Sequence, residues 1–442
     1  MTSSVVPFPR PRRGPAGARL TLVEAGSFAA AALMLLIYSQ GWEAPFFGAG
    51  QSVGDSAVVR AMFLPAYAIG VALMAQTPLR LAAGTLRQPC LIAILLIAAL
   101  SLAWSVSPDQ TSRRVLALFF TTLCGAVLAA RFSWSRLAEA LASAYVVLAL
   151  ASLVVGLFLP SIGRMSDIFP GSWRGVWLEK NTFGDTMALG SAVCAAAGAM
   201  SRPRAGFWWG AAVLCAVMVL MSTSKTALVS MLMGWGALGL VWTVRRGPAA
   251  GVAATWSAVV ALGLFAGVAV FASDVVFGLL GKNATLTGRT DIWAAVMRQI
   301  EQRPWTGWGY GAIWDETTPW GPLAWIVHDT GFKPRHAHNA WLDQWLALGV
   351  PGLAAWAGFF LQTLAANVVA LYRHKGAYLA LPFFVIFSLM SLTESVAVDY
   401  NEMRWVIFTA LAVKLALGDP PEAGRLRPEQ RIPLPDRRPG IG

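Results

Sequence analysis

The sequence predicts an all-α polytopic membrane protein with about twelve transmembrane helices and one long periplasmic loop containing a short amphipathic helix. Two observations carry that prediction. Of 442 residues, 57% are hydrophobic and 13% charged, where a soluble domain has about a quarter charged residues. Apolar runs of roughly 20 residues, the length that crosses a bilayer, recur along the chain and are separated by short loops rich in arginine.

Taken in order, residues 1–19 are Pro-rich, carry Arg10, Arg12, Arg13 and Arg19, and read as a basic cytoplasmic tail rather than a cleavable signal peptide. Nine spans are expected within 20–273, at about 20–40, 58–76, 89–106, 115–130, 137–160, 182–200, 207–223, 226–244 and 249–273. The long loop takes 274–339, and three further spans fall within 340–418, at about 340–372, 377–394 and 404–418. Residues 419–442 are rich in Pro and Arg and read as a disordered cytoplasmic tail. An even number of spans puts both termini on one side. The alternate loops then hold Arg80 and Arg87, Arg131 and Arg136, Arg202 and Arg204, Arg245 and Arg246, and Arg373 with Lys375. Short loops this basic face the cytoplasm, which puts both termini there and the remaining loops on the other side of the membrane.

Those other loops break the same rule. They carry Arg113, Arg114, Arg164, Arg174, Lys180 and Lys225, and the long loop adds Arg289, Arg298, Arg303 and others. Cations beside translocated spans oppose insertion, so their presence points to an anionic, lipid-linked substrate on that face. The net charge of +12 has no basic stripe with interleaved aromatics, so lipid headgroups and phosphates are the expected partners and nucleic acid is not. Cys90, Cys124, Cys194 and Cys215 lie in apolar runs without a Cys-x-x-Cys pair and read as small core residues. Few ionisable residues fall within the spans. Glu24 and Lys414 sit near span ends, where they can snorkel, and Asp185 lies just inside its span. An ion-coupled transporter needs more charge than this near the bilayer centre.

Residues 288–314 read GRTDIWAAVMRQIEQRPWTGWGYGAIW. Ile292, Trp293, Val296, Met297 and Ile300 share one helical face, with Asp291, Arg298, Gln299 and Glu301 largely off it, and Pro304 ends the run. Such a helix lies on the membrane or covers the bundle. Arg289 stands at its start, where free backbone N–H groups favour an anion. Residues 336–352 read HAHNAWLDQWLALGVPG. Asn339 is a good N-cap, a helix follows, and Gly349, Pro351 and Gly352 interrupt or kink it. His338 is thus set at a helix entrance by the water edge. It is either a proton-transfer group or an interfacial histidine that solvates the helix start. His328, His336 and His338 lie close together, but their spacing matches no standard ligand pattern and no metal is expected.

In combination these motifs resemble the O-antigen ligase and polymerase superfamily. The resemblance rests on His338-Asn339 followed by Gly349-Val350-Pro351-Gly352, on the Gly288-Arg289 helix with its Pro304…Gly307-x-Gly309 ending, and on Trp104-Ser105…Pro108…Arg113-Arg114. The stretch Glu179-Lys180-Asn181-Thr182-Phe183-Gly184, preceded by Arg174-Gly175, is most similar to the ExoQ-like exopolysaccharide polymerase branch, and Glu394-Ser395 also fits. The resemblance implies glycosyl transfer from an undecaprenyl-pyrophosphate-linked glycan on the periplasmic face, without metal or cofactor. His338 would be the general base on the acceptor hydroxyl. Arg289 and a second cation would hold the pyrophosphate, and Ser224-Lys225 stands where ligases carry Ser-Arg, a departure that favours the polymerase branch. Lys180, Asn181, Arg113, Arg114 and Arg174 are further substrate-binding candidates. A chain-length regulator or flippase is a candidate partner.

The residue types suit that chemistry. A glycosyl pyrophosphate is already activated, so the enzyme must neutralise charge growing on the pyrophosphate and take one proton from a hydroxyl, tasks for fixed cations and for a histidine. The shortage of paired carboxylates in the outer loops counts against a glycoside hydrolase. Two alternatives stay open: a ligase that moves glycan onto lipid A core, and a transporter or flippase of polyprenyl-linked glycan.

Overall fold

The computed structural model describes residues 22–48, 56–166, 169–271, 289–314 and 320–420. The tail 1–19, most of the tail 419–442 and the loop start 274–288 lie outside the described residues. In chain order the helices are α1 (Leu22–Tyr38), α2 (Glu43–Phe47), α3 (Ala57–Met74), α4 (Pro78–Leu86), α5 (Pro89–Leu100), α6 (Pro108–Arg131), α7 (Trp134–Phe158), α8 (Pro160–Gly163), α9 (Lys180–Met200), α10 (Ala205–Ser222), α11 (Lys225–Val244), α12 (Pro248–Phe271), α13 (Arg289–Gln302), α14 (Pro322–Thr330), α15 (Ala340–Arg373), α16 (Ala377–Thr393) and α17 (Met403–Leu417). The described residues are helical, without strands, and form a multi-pass membrane protein. Among them seven helices are long and apolar enough to cross a membrane, or eight if α4 and the helix after it form one span bent by 89°. Every expected span corresponds to one of these helices, but α1, α16 and α17 have only 17, 17 and 15 residues, so the count of twelve stays a proposal.

One helix begins well before its apolar run, and one further helix stands where a loop was expected. Pro108 occupies the first turn of α6, where its missing N–H is no loss. Arg113 and Arg114 therefore lie on the helix and not in a loop. The stretch before the third expected span is also helical, because Pro78 starts α4.

The central post is α9. Residues Phe183 to Gly198 are buried on every side, and the run is made of Gly, Ala, Ser and other small residues that let neighbouring backbones approach without a solvent-driven force. Helices α7, α10, α11 and α16 pack on it. A second knot joins α15, α16 and α17 through Trp356, Phe359, Phe387, Trp405 and Phe408, each at most 1% exposed; the rings of Phe387 and Phe408 stack at 4.5 Å.

The basic loops gather at one end of the bundle, around the end of α17. Arg80 donates to the Gly418 carbonyl at 2.9 Å and Arg87 to that of Ala416 at 2.7 Å. Asp419 accepts from the Trp134 backbone at 2.7 Å, Arg136 and Arg204 share Glu139, and Lys375 reaches Ser135. One expectation fails here. Lys414 does not snorkel: it is fully buried, donating to the Phe132 carbonyl at 2.5 Å with Asp419 at 3.5 Å. Its neighbours supply the acceptors that the long stem would otherwise seek in water.

Candidate active site

At the opposite end, the segments read as motifs meet. The exit from α13 threads between two of them. Val106 N donates to the Trp308 carbonyl at 3.1 Å and Trp104 Nε1 to that of Thr306 at 2.8 Å. On the other side Trp308 N, Gly309 N and Val350 N bond to the carbonyls of Leu346, Ala347 and Pro304. Gly349 makes the kink in α15 with φ +66, and Gly307, with φ +64, lies against it. Trp293 of α13 donates to the Ala337 carbonyl at 2.9 Å, which ties the start of the surface helix to the histidine loop. The apolar face of α13 covers the bundle, with Ile292, Val296 and Ile300 buried; Gln299, expected on the polar face, is buried as well.

His338 precedes the cap of α15. Asn339 Oδ1 accepts from Trp341 N at 3.0 Å and Leu342 N at 3.2 Å. His338 itself holds φ +52, a left-handed conformation uncommon for a residue with a side chain and often found where function requires it. Its Nδ1 lies 2.8 Å from Glu394 Oε2, and Arg289 Nη2 donates to Glu394 Oε1 at 2.9 Å. Both charged partners are mostly buried, at 16% and 14% side-chain exposure. Burial pushes the Glu394 carboxyl up, but its hydrogen bond from His338 and the charges of His338 and Arg289 outweigh this and hold it below the usual carboxylate range. A carboxylate accepts only, so Nδ1 of His338 carries a proton in this bond, and in the neutral ring the lone pair then lies on Nε2.

His336 stands beside it, ring centroids 4.1 Å apart. His338 N donates to its Nδ1 at 3.2 Å. Burial first, then the neighbouring His338, pushes the His336 imidazole down to about 3, so it is neutral and its remaining proton sits on Nε2.

The other expected site residues divide into three groups. Lys225 opens α11, and Gly234 of that helix lies against Ile386 and Pro382 of antiparallel α16, so Lys225 comes to the Glu394 end. Gly184 packs on Ser222 and Ala227, which brings Lys180 and Asn181 to the same end; Lys180 Nζ donates to Thr223 Oγ1 at 3.3 Å and stands 3.7 Å over the Phe169 ring. Arg114 instead bonds to the Gly311 carbonyl and lies 5.4 Å over the Tyr400 ring, while Arg113 is exposed on the same helix. Arg174 is buried and donates to the carbonyls of Ile162 and Ser161 at 2.7 and 3.0 Å. Its guanidinium braces the α8 turn.

Glu394 had no role assigned from sequence, because no periodicity links it to a histidine 56 positions earlier. His336, His338 and Glu394 each offer one ligand atom, all within 4.8 Å of one another. The Arg289 cation on the same carboxylate opposes a metal ion there.

Two comparisons show which known proteins the chain resembles. Residues 210–357 match a family model described as O-antigen ligase. The chain is also similar to the exopolysaccharide production protein ExoQ of Rhizobium meliloti (strain 1021), at 26% identity over 276 residues, covering 60% of this chain and 61% of that protein. The chain therefore spans about three fifths of the length of that relative. Both matches agree with the motif resemblance.

Proposed function

We propose that the protein polymerises undecaprenyl-pyrophosphate-linked oligosaccharide repeat units by glycosyl transfer on the periplasmic face of a bacterial inner membrane, both termini being cytoplasmic. The observation that carries this reading is the His338–Glu394–Arg289 constellation at the end of the bundle away from the basic loops.

In the proposed step, His338 Nε2 takes the proton of an acceptor sugar hydroxyl as its oxygen attacks the anomeric carbon of the donor. The bond from that carbon to the pyrophosphate oxygen breaks, and the electron pair leaves with the pyrophosphate. Glu394 steadies the imidazolium that forms. Arg289 and the cations Lys225 and Lys180 meet the growing negative charge, in a partly dry site where fixed charges are most effective. Asn181 adds a polar contact beside Lys180. Arg113 and Arg114 lie on the acceptor side, and Arg174 acts by holding the loop before α9. The proton on His338 then passes to the departing pyrophosphate or to water.

The test uses purified protein and lipid-linked repeat units from the native host, with chain length followed in the presence of EDTA. A ladder that survives EDTA and is lost in both His338→Ala and Arg289→Ala supports a metal-free polymerase. Glycan moved to an added lipid acceptor instead makes the protein a ligase. No transfer of either kind returns the reading to transport.

A further inference from the structure

Two cavities of about 660 and 340 Å³ lie at this end of the bundle, within the size range of small-ligand sites. They share Arg114, Trp314, Arg335, Asp399 and Tyr400 as a common wall, so they form one trough. The smaller reaches His336 and Gln344; the larger runs out to Glu43 and Phe63.

The lining is rich in charge, yet that charge is largely satisfied within the protein. Glu402 pairs with Arg404 at 2.7 Å, Arg335 with Glu179 at 3.3 Å, and Arg114 bonds to the Gly311 carbonyl. Burial, and next the Glu402 charge, push the carboxyls of Glu43 and Asp399 up to about 7, so each can donate as well as accept. Arg60 and Lys333 also line the larger cavity, whereas the smaller one presents Tyr310, Trp314, Tyr400, Asp343 and Gln344, aromatic surface with carboxyl and amide groups that suits hydroxyl-rich sugars. One atom points to a missing partner. Gln344 is only 7% exposed, lines the smaller cavity, and its side-chain carbonyl oxygen has no hydrogen-bond partner among the described residues. A buried acceptor of this kind is costly unless something donates to it.

We propose that this trough is the acceptor subsite, taking an uncharged oligosaccharide whose terminal sugar hydroxyl bonds to Gln344 and packs on Trp314 beside His336. The assignment rests on the transferase reading above and deepens it: Arg289, Lys180 and Lys225 do not line the trough, and His336, which does, stands against His338.

The experiment measures binding by calorimetry to the full chain in lipid nanodiscs. The probe is the oligosaccharide released by mild acid from the host's lipid-linked repeat unit, free of lipid and phosphate. Wild type is expected to bind it, and Gln344→Leu and Trp314→Ala to weaken binding at least about tenfold. Gln344→Leu removes an unpaired buried acceptor, so its thermal midpoint is expected to hold or rise, which separates a lost contact from a lost fold. No binding by wild type, or equal binding by Gln344→Leu, overturns the subsite. If lipid-linked chains nevertheless lengthen in that case, the polymerase reading stands alone. Gln344-dependent binding without any chain growth leaves the subsite and removes the polymerase.

Discussion

His338 is held by two contacts of different kinds, a left-handed backbone turn and a hydrogen bond from Nδ1 to Glu394. The second contact selects the tautomer, and with it the nitrogen that can act as a base. Glu394→Gln preserves the shape but can stabilise the other tautomer and no longer balances an imidazolium. Chain-elongation rate is expected to fall about 10²- to 10⁴-fold, with an unchanged elution profile on size-exclusion chromatography. A rate within tenfold of wild type removes Glu394 from the mechanism. His336 supplies a separate prediction, about stability. In the unfolded chain it protonates near 6.5, in the folded protein only near 3. Between those values unfolding takes up a proton, so its contribution to stability is lost as pH falls from about 6.5 to about 3 and is constant above that window. Glu394, whose carboxyl is held low, adds its own loss below the usual carboxylate range. His336→Gln keeps an acceptor for the His338 N–H and removes the titration. Its thermal midpoint is expected to vary less with pH over that window than the wild type's, and equal slopes contradict the assignment.

At the scale of elements, the position of Arg289 relative to His338 depends on how α13 docks onto the kink of α15. A Cβ on Gly349 would run into the Trp305 carbonyl oxygen, and the backbone there has φ +66. Gly349→Ala therefore meets both a backbone clash and an unfavourable conformation, and is expected to destabilise the protein by more than about 2 kcal/mol. Gly236→Ala is the control, since nothing lies within 4 Å of its added Cβ; its thermal midpoint should stay near or above wild type. A Gly349→Ala midpoint equal to that of the control would show that the kink is not sterically required. Much of this element was legible beforehand. The cap at Asn339, the interruption at Gly349 and the apolar face of α13 are local patterns, and each is found in the structure. What local pattern misses is polar helix and long-range pairing. The first turn of α6 continues through Arg113 and Arg114 because Pro108 can start a helix, although the residues are not apolar. Gln299 is buried because Trp308 folds back to bond its carbonyl at 3.0 Å, and Glu394 meets His338 only through the packing of α16 on its neighbours.

For the whole molecule, the distribution of arginine was the most informative property of the sequence, and the fold gives it a spatial form. The loops with Arg80, Arg87, Arg136 and Arg204 surround the end of α17, while Arg289, Lys180 and Lys225 lie at the other end. Buried Lys414 shows where sequence alone fails: hydropathy reports that a charge lies near a span end, not that Phe132 and Asp419 wait there. A helix rises about 1.5 Å per residue, so the 15 residues of α17 extend about 22 Å, short of a hydrocarbon core of about 30 Å. Span counting therefore cannot by itself decide sidedness, and charge must be tested directly. Three native cysteines are buried and Cys90 is half-buried, so single cysteines introduced at exposed positions report on their own surroundings. With a membrane-impermeant maleimide, Lys333→Cys is expected to label in intact spheroplasts and Lys375→Cys only after the membrane is opened. The reverse pattern would place His338 and its carboxylate in the cytoplasm, where a polymer destined for the cell exterior is not assembled from translocated units, and the proposed function would fall with the topology.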